Sequence, residues 1–193
     1  MFFKPRQTKP QLNQVQDTLL IIKPETIKRR LVGKIFQTFE DAGFEIVALK
    51  MEQPSESLLK RHYPGSKKWR ISVGNKVIST FNSQYDVQDV IGTTDAFKIG
   101  SNILQWSIHE LTNGPVIIIV LRGVAAVNKV KKLVGETEPA KAEVGTLRSS
   151  FSQDTIINSY TNNRPIYNVV HRSSSVKEAR HEISVWFKPS ELV

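Results

Sequence analysis

Seven residues, Pro115 to Leu121, read Pro-Val-Ile-Ile-Ile-Val-Leu and form the longest apolar run in the chain. A bilayer span needs roughly 20 such residues, so the run marks a buried strand inside a globular fold. A strand apolar at consecutive positions must bury both of its faces. Thr18 to Ile22 (Thr-Leu-Leu-Ile-Ile) repeats the pattern and stops at Lys23-Pro24, and Phe44 to Met51 supplies another strand. Between the first two strands, Val32, Ile35, Phe36, Phe39 and Ala42 fall at helical spacing, with Gly43 as a stop.

The rest of the chain fills in the same alternation. Ser55 with Leu58 and Leu59 predicts a short capped helix ending near His62-Tyr63-Pro64. Trp69, Val73, Val77, Ile78 and Phe81 hint at a helix, whereas Gly92 to Ser101 reads as turn. Ile103, Trp106 and Leu111 predict a helix that Asn113-Gly114-Pro115 ends. Val124, Val127, Val130, Lys131 and Val134 predict another, ending at Gly135. Two polar stretches follow, and Ile166 to Val170 is expected as the last strand. The order is β-α-β-β-α-β with helical material between the middle strands.

The 193 residues suit one domain with a substantial core. The first 16 residues read as a mobile polar extension without the apolar segment of a secretory signal. Residues 17–193 are expected as a single domain. The absence of cysteine removes disulfides, thiolate metal sites and a cysteine nucleophile from consideration; a cytoplasmic location is compatible. The net charge of +9 is uneven. Residues 1–70 carry 14 Lys and Arg against 7 Asp and Glu, and the remainder 13 against 11. That bias favours an anionic partner, either a nucleotide, a nucleic acid or an acidic surface. A solvated basic face is the plainer alternative.

One junction carries chemistry. Asn168-Val169-Val170-His171 closes the last expected strand, Ser173-Ser174-Ser175 follows, and Ser175 with Glu178 predicts a capping box. Val176, Ala179, Ile183 and Trp186 form one helical stripe with Glu182 beside it. Helical side chains lean toward the N-terminus, so Glu182 is expected to reach back to His171. A carboxylate on one ring nitrogen fixes the tautomer and leaves the other nitrogen as a nucleophile. On spacing alone, a surface histidine beside a solvated helix competes with this reading. His62, His109 and His181 have no companion pattern.

The segment Asn168 to Phe187 resembles the active-site segment of the nucleoside diphosphate kinases, Asn-x-x-His-Gly-Ser-Asp followed by a helix bearing Glu. Thr18 to Met51 and Gly114 to Phe151 resemble further blocks of that family in the same order. Together the three cover most of residues 17–189, outside two expected insertions near 65–101 and 152–164. The resemblance implies a ferredoxin-like α/β (α+β) sandwich, its four-stranded antiparallel sheet covered by helices. It also implies transfer of the terminal phosphoryl group of a nucleoside triphosphate to a nucleoside diphosphate through a phosphohistidine, with Mg2+ on the nucleotide. Homo-oligomers, hexameric or tetrameric, are implied as well.

Residue by residue, the resemblance makes His171 the nucleophile, Glu182 its orienting carboxylate and Ser173 the support of that carboxylate. Lys23, Tyr63, Lys131, Thr137, Arg148 and Asn168 match nucleotide-binding positions, and no residue is expected to bind the metal directly. Departures are Arg172 and Ser174 for Gly and Asp, Ser149-Ser150 for Gly-Asp, Lys131 for Arg, Arg30 for Gly and Glu25 for Asp. Arg172 either crowds the site or adds a phosphate-seeking charge. The base-stacking phenylalanine has no secure counterpart; Ile103, Tyr63, Trp69, Phe97 and Trp106 are candidates. An inactive nucleotide-binding protein on the same scaffold and a basic nucleic-acid-binding module are the alternatives, the latter without a motif to support it.

Overall fold

The computed structural model describes residues 14–81 and 85–193. Residues 1–13, most of the expected N-terminal extension, lie outside the described residues. The first strand, β1 (Val15–Ile22), already begins at Val15, inside the stretch assigned to that extension. The chain continues through α1 (Pro24–Lys28), α2 (Val32–Asp41), β2 (Glu45–Glu52) and α3 (Glu56–His62). Next come α4 (Lys67–Phe81), α5 (Val87–Ile91), α6 (Ala96–Thr112), β3 (Val116–Val124) and α7 (Ala126–Val134). The chain closes with α8 (Leu147–Phe151), α9 (Ile156–Thr161), β4 (Val170–Arg172) and α10 (Val176–Trp186).

The four strands form one antiparallel sheet in the order β2-β3-β1-β4, the expected α+β architecture. Consecutive β1 residues serve opposite faces. Leu19 and Ile21 pack with Leu59, Leu104, Ile108 and Trp186 beneath α3, α6 and α10. Leu20 and Ile22 pack with Ile35, Phe39, Val130 and Val134 beneath α2 and α7. This double covering is why β1 and β3 read as unbroken apolar runs. Among the described residues no helix is long and apolar enough to cross a membrane.

Two sequence readings change. Ala96 to Ser101, expected as turn, is the first part of α6, because Asp95 caps the backbone N–H groups of Phe97 and Lys98 at 2.8 and 3.2 Å. Ile166 to Val169, expected as strand, is not one. Val169 lies at φ +72°, where a β-branched residue is strained, so β4 starts only at Val170. The expected helix within 67–81 is α4. A third apolar cluster joins Val77 and Phe81 of α4, Val87 of α5 and Ile99 of α6 to Ile156, Ile157 and Tyr160 of α9. The two expected insertions, 65–101 and 152–164, therefore pack against each other.

Candidate active site

The site forms where the C-terminal end of β1, the start of β4 and the N-terminal half of α10 converge. His171 lies across from Ile21 in the β1–β4 pairing. The local backbone is held by α1. Lys23 N–H donates to the Val169 carbonyl at 3.2 Å, and Thr26 Oγ1 donates to the same oxygen at 2.7 Å. Val169 N–H in turn donates to Glu25 Oε1 at 3.1 Å. Val169 thus has its main-chain groups satisfied in a conformation it would otherwise avoid, and His171 follows two residues later.

Glu182 is 1% exposed and meets His171 as expected. Its Oε1 lies 2.9 Å from His171 Nε2, and its Oε2 accepts a short hydrogen bond from Ser173 Oγ. Burial pushes the Glu182 carboxyl up, but His171, His62 and the Ser173 hydroxyl outweigh it and hold the group below the ordinary carboxylate range. An ionised carboxylate only accepts, so Nε2 carries the His171 proton and Nδ1 keeps a lone pair. The cap of α10 differs slightly from the expected box. Ser175 Oγ accepts from Glu178 N–H at 3.2 Å, while the Glu178 carboxylate takes Ser174 N–H at 2.7 Å.

His171 opens onto a cavity of about 540 Å³. Lys23, Tyr63, Thr137, Arg148 and Asn168 line it with His171, and Arg172 and Ser174 join them. Ser173 and Glu182 lie buried behind the wall. Lys131 does not line the cavity: Val127, Val130 and Val134 of α7 face the core, which turns position 131 out to solvent. Of the stacking candidates, Ile103 and Tyr63 line the cavity. Trp106 instead packs edge-on against Tyr160 at 4.9 Å, Phe97 lies under Arg70, and Trp69 packs beside Tyr63. A more open depression of about 840 Å³ borders α1 and residues 151–167; its Asp154 and Arg164 are already paired with each other at 2.6 Å.

The cations are tethered before any ligand arrives. Lys23 Nζ pairs with Glu110 Oε2 at 2.6 Å, both side chains nearly buried. Burial raises the Glu110 carboxyl, partly opposed by Lys23. Arg148 donates to three carbonyls, Asn168 at 3.0 Å, Gly135 at 3.1 Å and Val170 at 2.9 Å. It therefore staples the loop after α7 to the start of β4, with two of its five N–H donors left over. Burial first, then repulsion from Arg172, pulls its pKa down to about 9. Asn168 Nδ2 donates to the Thr137 carbonyl at 2.9 Å. Asn168 Oδ1, Glu110 Oε1 and Arg172 Nε are buried without a partner.

Sequence reasoning missed Glu110, Glu25 and above all His62. His62 ends α3 and is 1% exposed, its ring 4.7 Å from the His171 ring. His62, His171 and Glu182 offer three ligand atoms within 4.8 Å of one another, the outline of a metal site. The hydrogen bonding argues against a metal there. Trp186 Nε1, which can only donate, reaches His62 Nδ1 at 3.1 Å. Nδ1 therefore holds the lone pair, and the Nε2 that faces Glu182 holds the proton. Burial, then repulsion from His171, pushes the His62 pKa down to about 3, so the ring stays neutral.

A family model described as nucleoside diphosphate kinase matches residues 16–81 and 96–192. The chain is 40% identical over 180 residues to a nucleoside diphosphate kinase of Pyrobaculum aerophilum, covering 93% of this chain and 98% of that protein. A crystal structure of an NDP kinase from Pyrobaculum aerophilum superposes with a TM-score of 0.86 at 39% identity, covering 93% of this chain and all of that one. A transition-state mimic of the nucleoside-diphosphate kinase from Borrelia burgdorferi, with bound vanadate and ADP, gives 0.73 at 33% identity, covering 93% and 90%.

Proposed function

The chain belongs to the nucleoside diphosphate kinase family and is a phosphotransferase of that kind, and we propose that it works through His171 as a phosphorylated nucleophile. In the first half-reaction the Nδ1 lone pair bonds to the terminal phosphorus of a nucleoside triphosphate. The bond from that phosphorus to its bridging oxygen breaks, and the nucleoside diphosphate leaves with the electron pair. The ring retains its Nε2 proton and gains positive charge, which the Glu182 carboxylate at 2.9 Å stabilises. A second nucleoside diphosphate then attacks the phosphohistidine and reverses these steps. Splitting the transfer lets one site serve both nucleotides in turn.

Lys23, Arg148 and Arg172, around the cavity, are suited to neutralise phosphate charge, the main task in phosphoryl transfer. Asn168 and Lys23 line the cavity and would contact the sugar, with Ile103 and Tyr63 as the apolar surface available to the base. Mg2+ is expected to enter on the nucleotide. Of the cavity carboxylates, Glu110 is paired with Lys23 and Glu138 with Lys141, while Glu136 has no ion-pair partner among the described residues. That donor set would suit an ion that keeps phosphate oxygens and waters as its ligands, with Glu136 the carboxylate that would be available to it. An ion bound there would supply neutralisation of charge on the phosphates.

A cytoplasmic homo-oligomer, hexamer or tetramer, completes the reading. It is supported by the edge position of β2, which exposes Leu49 and Met51. The observation that carries the proposal is the His171 Nε2–Glu182 contact, which leaves Nδ1 as the attacking atom. Incubation with γ-labelled nucleoside triphosphate is expected to give an acid-labile, alkali-stable phosphoprotein. The label should pass to added nucleoside diphosphate and be absent in His171→Ala. Wild-type protein that takes up no label overturns the reading.

A further inference from the structure

His62 has no place in the mechanism above, yet its buried ring packs against that of the nucleophile His171. Three elements meet at this ring. Helix α3 supplies it, β4 supplies His171 in an edge-to-face pair with it at 4.7 Å, and α10 supplies both Glu182 and Trp186. Glu182 and Trp186 stand four residues apart, so one face of α10 presents both the carboxylate and the indole. The indole N–H takes His62 Nδ1 at 3.1 Å and thereby dictates the tautomer at the opposite nitrogen. His62 Nε2 then directs its proton toward Glu182 Oε1, the oxygen that also faces His171, from 3.6 Å.

At that distance the contact is too long for a full hydrogen bond, and Nε2 has no other partner. A buried donor left in that state is costly. The cost has a use if the donor serves an acceptor whose importance rises during the reaction. Glu182 is such an acceptor, because its charge must offset the positive charge growing on the His171 ring. A neutral N–H dipole aimed at Oε1 holds the carboxylate in place and favours its ionised form without cancelling its charge. A protonated ring would do the opposite: it would pair with Glu182 and repel His171.

We propose that His62 is a positioning residue for the phosphoryl transfer: locked by Trp186 as the Nε2–H tautomer, its N–H dipole supports Glu182 beside the hydrogen bonds from His171 and Ser173, and so steadies the carboxylate that orients His171. The proposal rests on the reading of His171 as nucleophile. The ionisable groups around His62 agree with it. Glu182 favours a charge on the ring, whereas burial, His171 and His181 oppose it more strongly and keep the pKa near 3. Tyr63 packs edge-on at 4.7 Å, and its hydroxyl is held protonated by burial and by Glu110 and Glu182.

The test compares full-length wild type with His62→Phe, His62→Gln and Trp186→Phe in single-turnover phosphorylation by ATP and in steady-state exchange. His62→Phe keeps a ring and loses the donor. It is expected to slow phosphoenzyme formation by between about 10-fold and 100-fold while the nucleotide KM stays within about twofold. His62→Gln restores an N–H and is expected to recover most of the rate. Trp186→Phe releases the tautomer and is expected to behave like His62→Phe. Nitrogen-15 spectra of the wild-type rings should show the His62 proton on Nε2. A His62→Phe enzyme phosphorylated at the wild-type rate overturns the proposal. So does equal impairment of Phe and Gln variants, which means packing alone, or a proton found on Nδ1. Should His62→Phe not fold, His62→Gln against Trp186→Phe decides on the same rates. If wild-type protein forms no phosphoenzyme, the reading of His171 fails instead, and the nitrogen-15 result still decides the tautomer.

Discussion

The main-chain N–H of Val169 donates to the Glu25 carboxylate at 3.1 Å, tying together positions 144 residues apart. Val169 is fully buried at φ +72°, a conformation that costs a β-branched residue on the order of 1–3 kcal/mol. Glu25 and Thr26 are what hold it there. Glu25→Ala removes the acceptor and leaves a buried N–H unpaired, a loss of about 1–3 kcal/mol. We expect a lower Tm in calorimetry together with slower phosphorylation of His171. Glu25→Gln, which keeps an acceptor oxygen, should lose much less of both. Equal Tm and equal rates for Glu25→Ala and wild type would mean that α1 does not hold the β4 entrance.

This clamp also marks the limit of what local sequence could reveal. β1 and β3 were legible because both of their faces are buried, so consecutive residues are apolar. β4 was not, since its start is set by Glu25 from the other end of the chain rather than by alternation within Ile166 to Val170. The start of helix α6 is hidden because Asp95, in a turn-like stretch, is its N-cap. The resemblance brought His171, Glu182, Ser173, Lys23, Tyr63, Thr137, Arg148 and Asn168 to one place, but it also named Lys131, which α7 turns outward. His62 left no local trace. Its hydrogen-bond partner Trp186 lies 124 residues away, and a neutral histidine at a helix end looks like any other.

His62 also makes the fold acid-sensitive. Its folded pKa of about 3 lies below the ordinary 6.5. Above pH 6.5 both folded and unfolded states are neutral and the stability is fully present. As pH falls, the unfolded chain takes up a proton that the folded one refuses, so stability declines by up to one proton's worth, on the order of 1 kcal/mol per pH unit. Glu182 is also depressed, from 4.5, and its contribution is lost only below that value. Urea unfolding between pH 6.5 and 4.5 should therefore show a decline that His62→Phe flattens. A variant curve parallel to wild type in that window would remove His62 as the cause.

Helices α4 and α6 approach backbone to backbone at Gly74 and Gly100. A Cβ added at Gly74 would stand 1.9 Å from the Ala96 carbonyl oxygen, and one at Gly100 would stand 1.9 Å from that of Arg70. Both obstacles are backbone, so the helices themselves must part. Gly100→Ala is expected to cost about 1–3 kcal/mol, visible as a lower midpoint in denaturant. Because Val73, Lys76, Val77 and Thr80 of α4 line the cavity, the same change should raise the nucleotide KM. A Gly100→Ala protein with unchanged midpoint and KM would show that the crossing is looser than its spacing implies.

Arg172 stands where the family pattern has glycine, and its position separates two outcomes. The side chain lines the cavity with Nε unpartnered, while Nη1 donates to the Ser173 carbonyl at 3.2 Å. Burial lowers its hold on a proton, opposed by Glu136, Glu178 and Glu182, while its charge depresses Arg148 in turn. Two cations that repel each other beside an uncommitted donor gain from an anion placed between them. Arg172→Gln should therefore weaken ADP binding by roughly tenfold, the equivalent of about 1.4 kcal/mol, with a larger loss at low ionic strength than at high. Titration calorimetry at two salt concentrations reads both effects. If Arg172→Gln instead binds ADP more tightly and turns over faster, the arginine crowds the cavity and the phosphates are held by Lys23 and Arg148 without it.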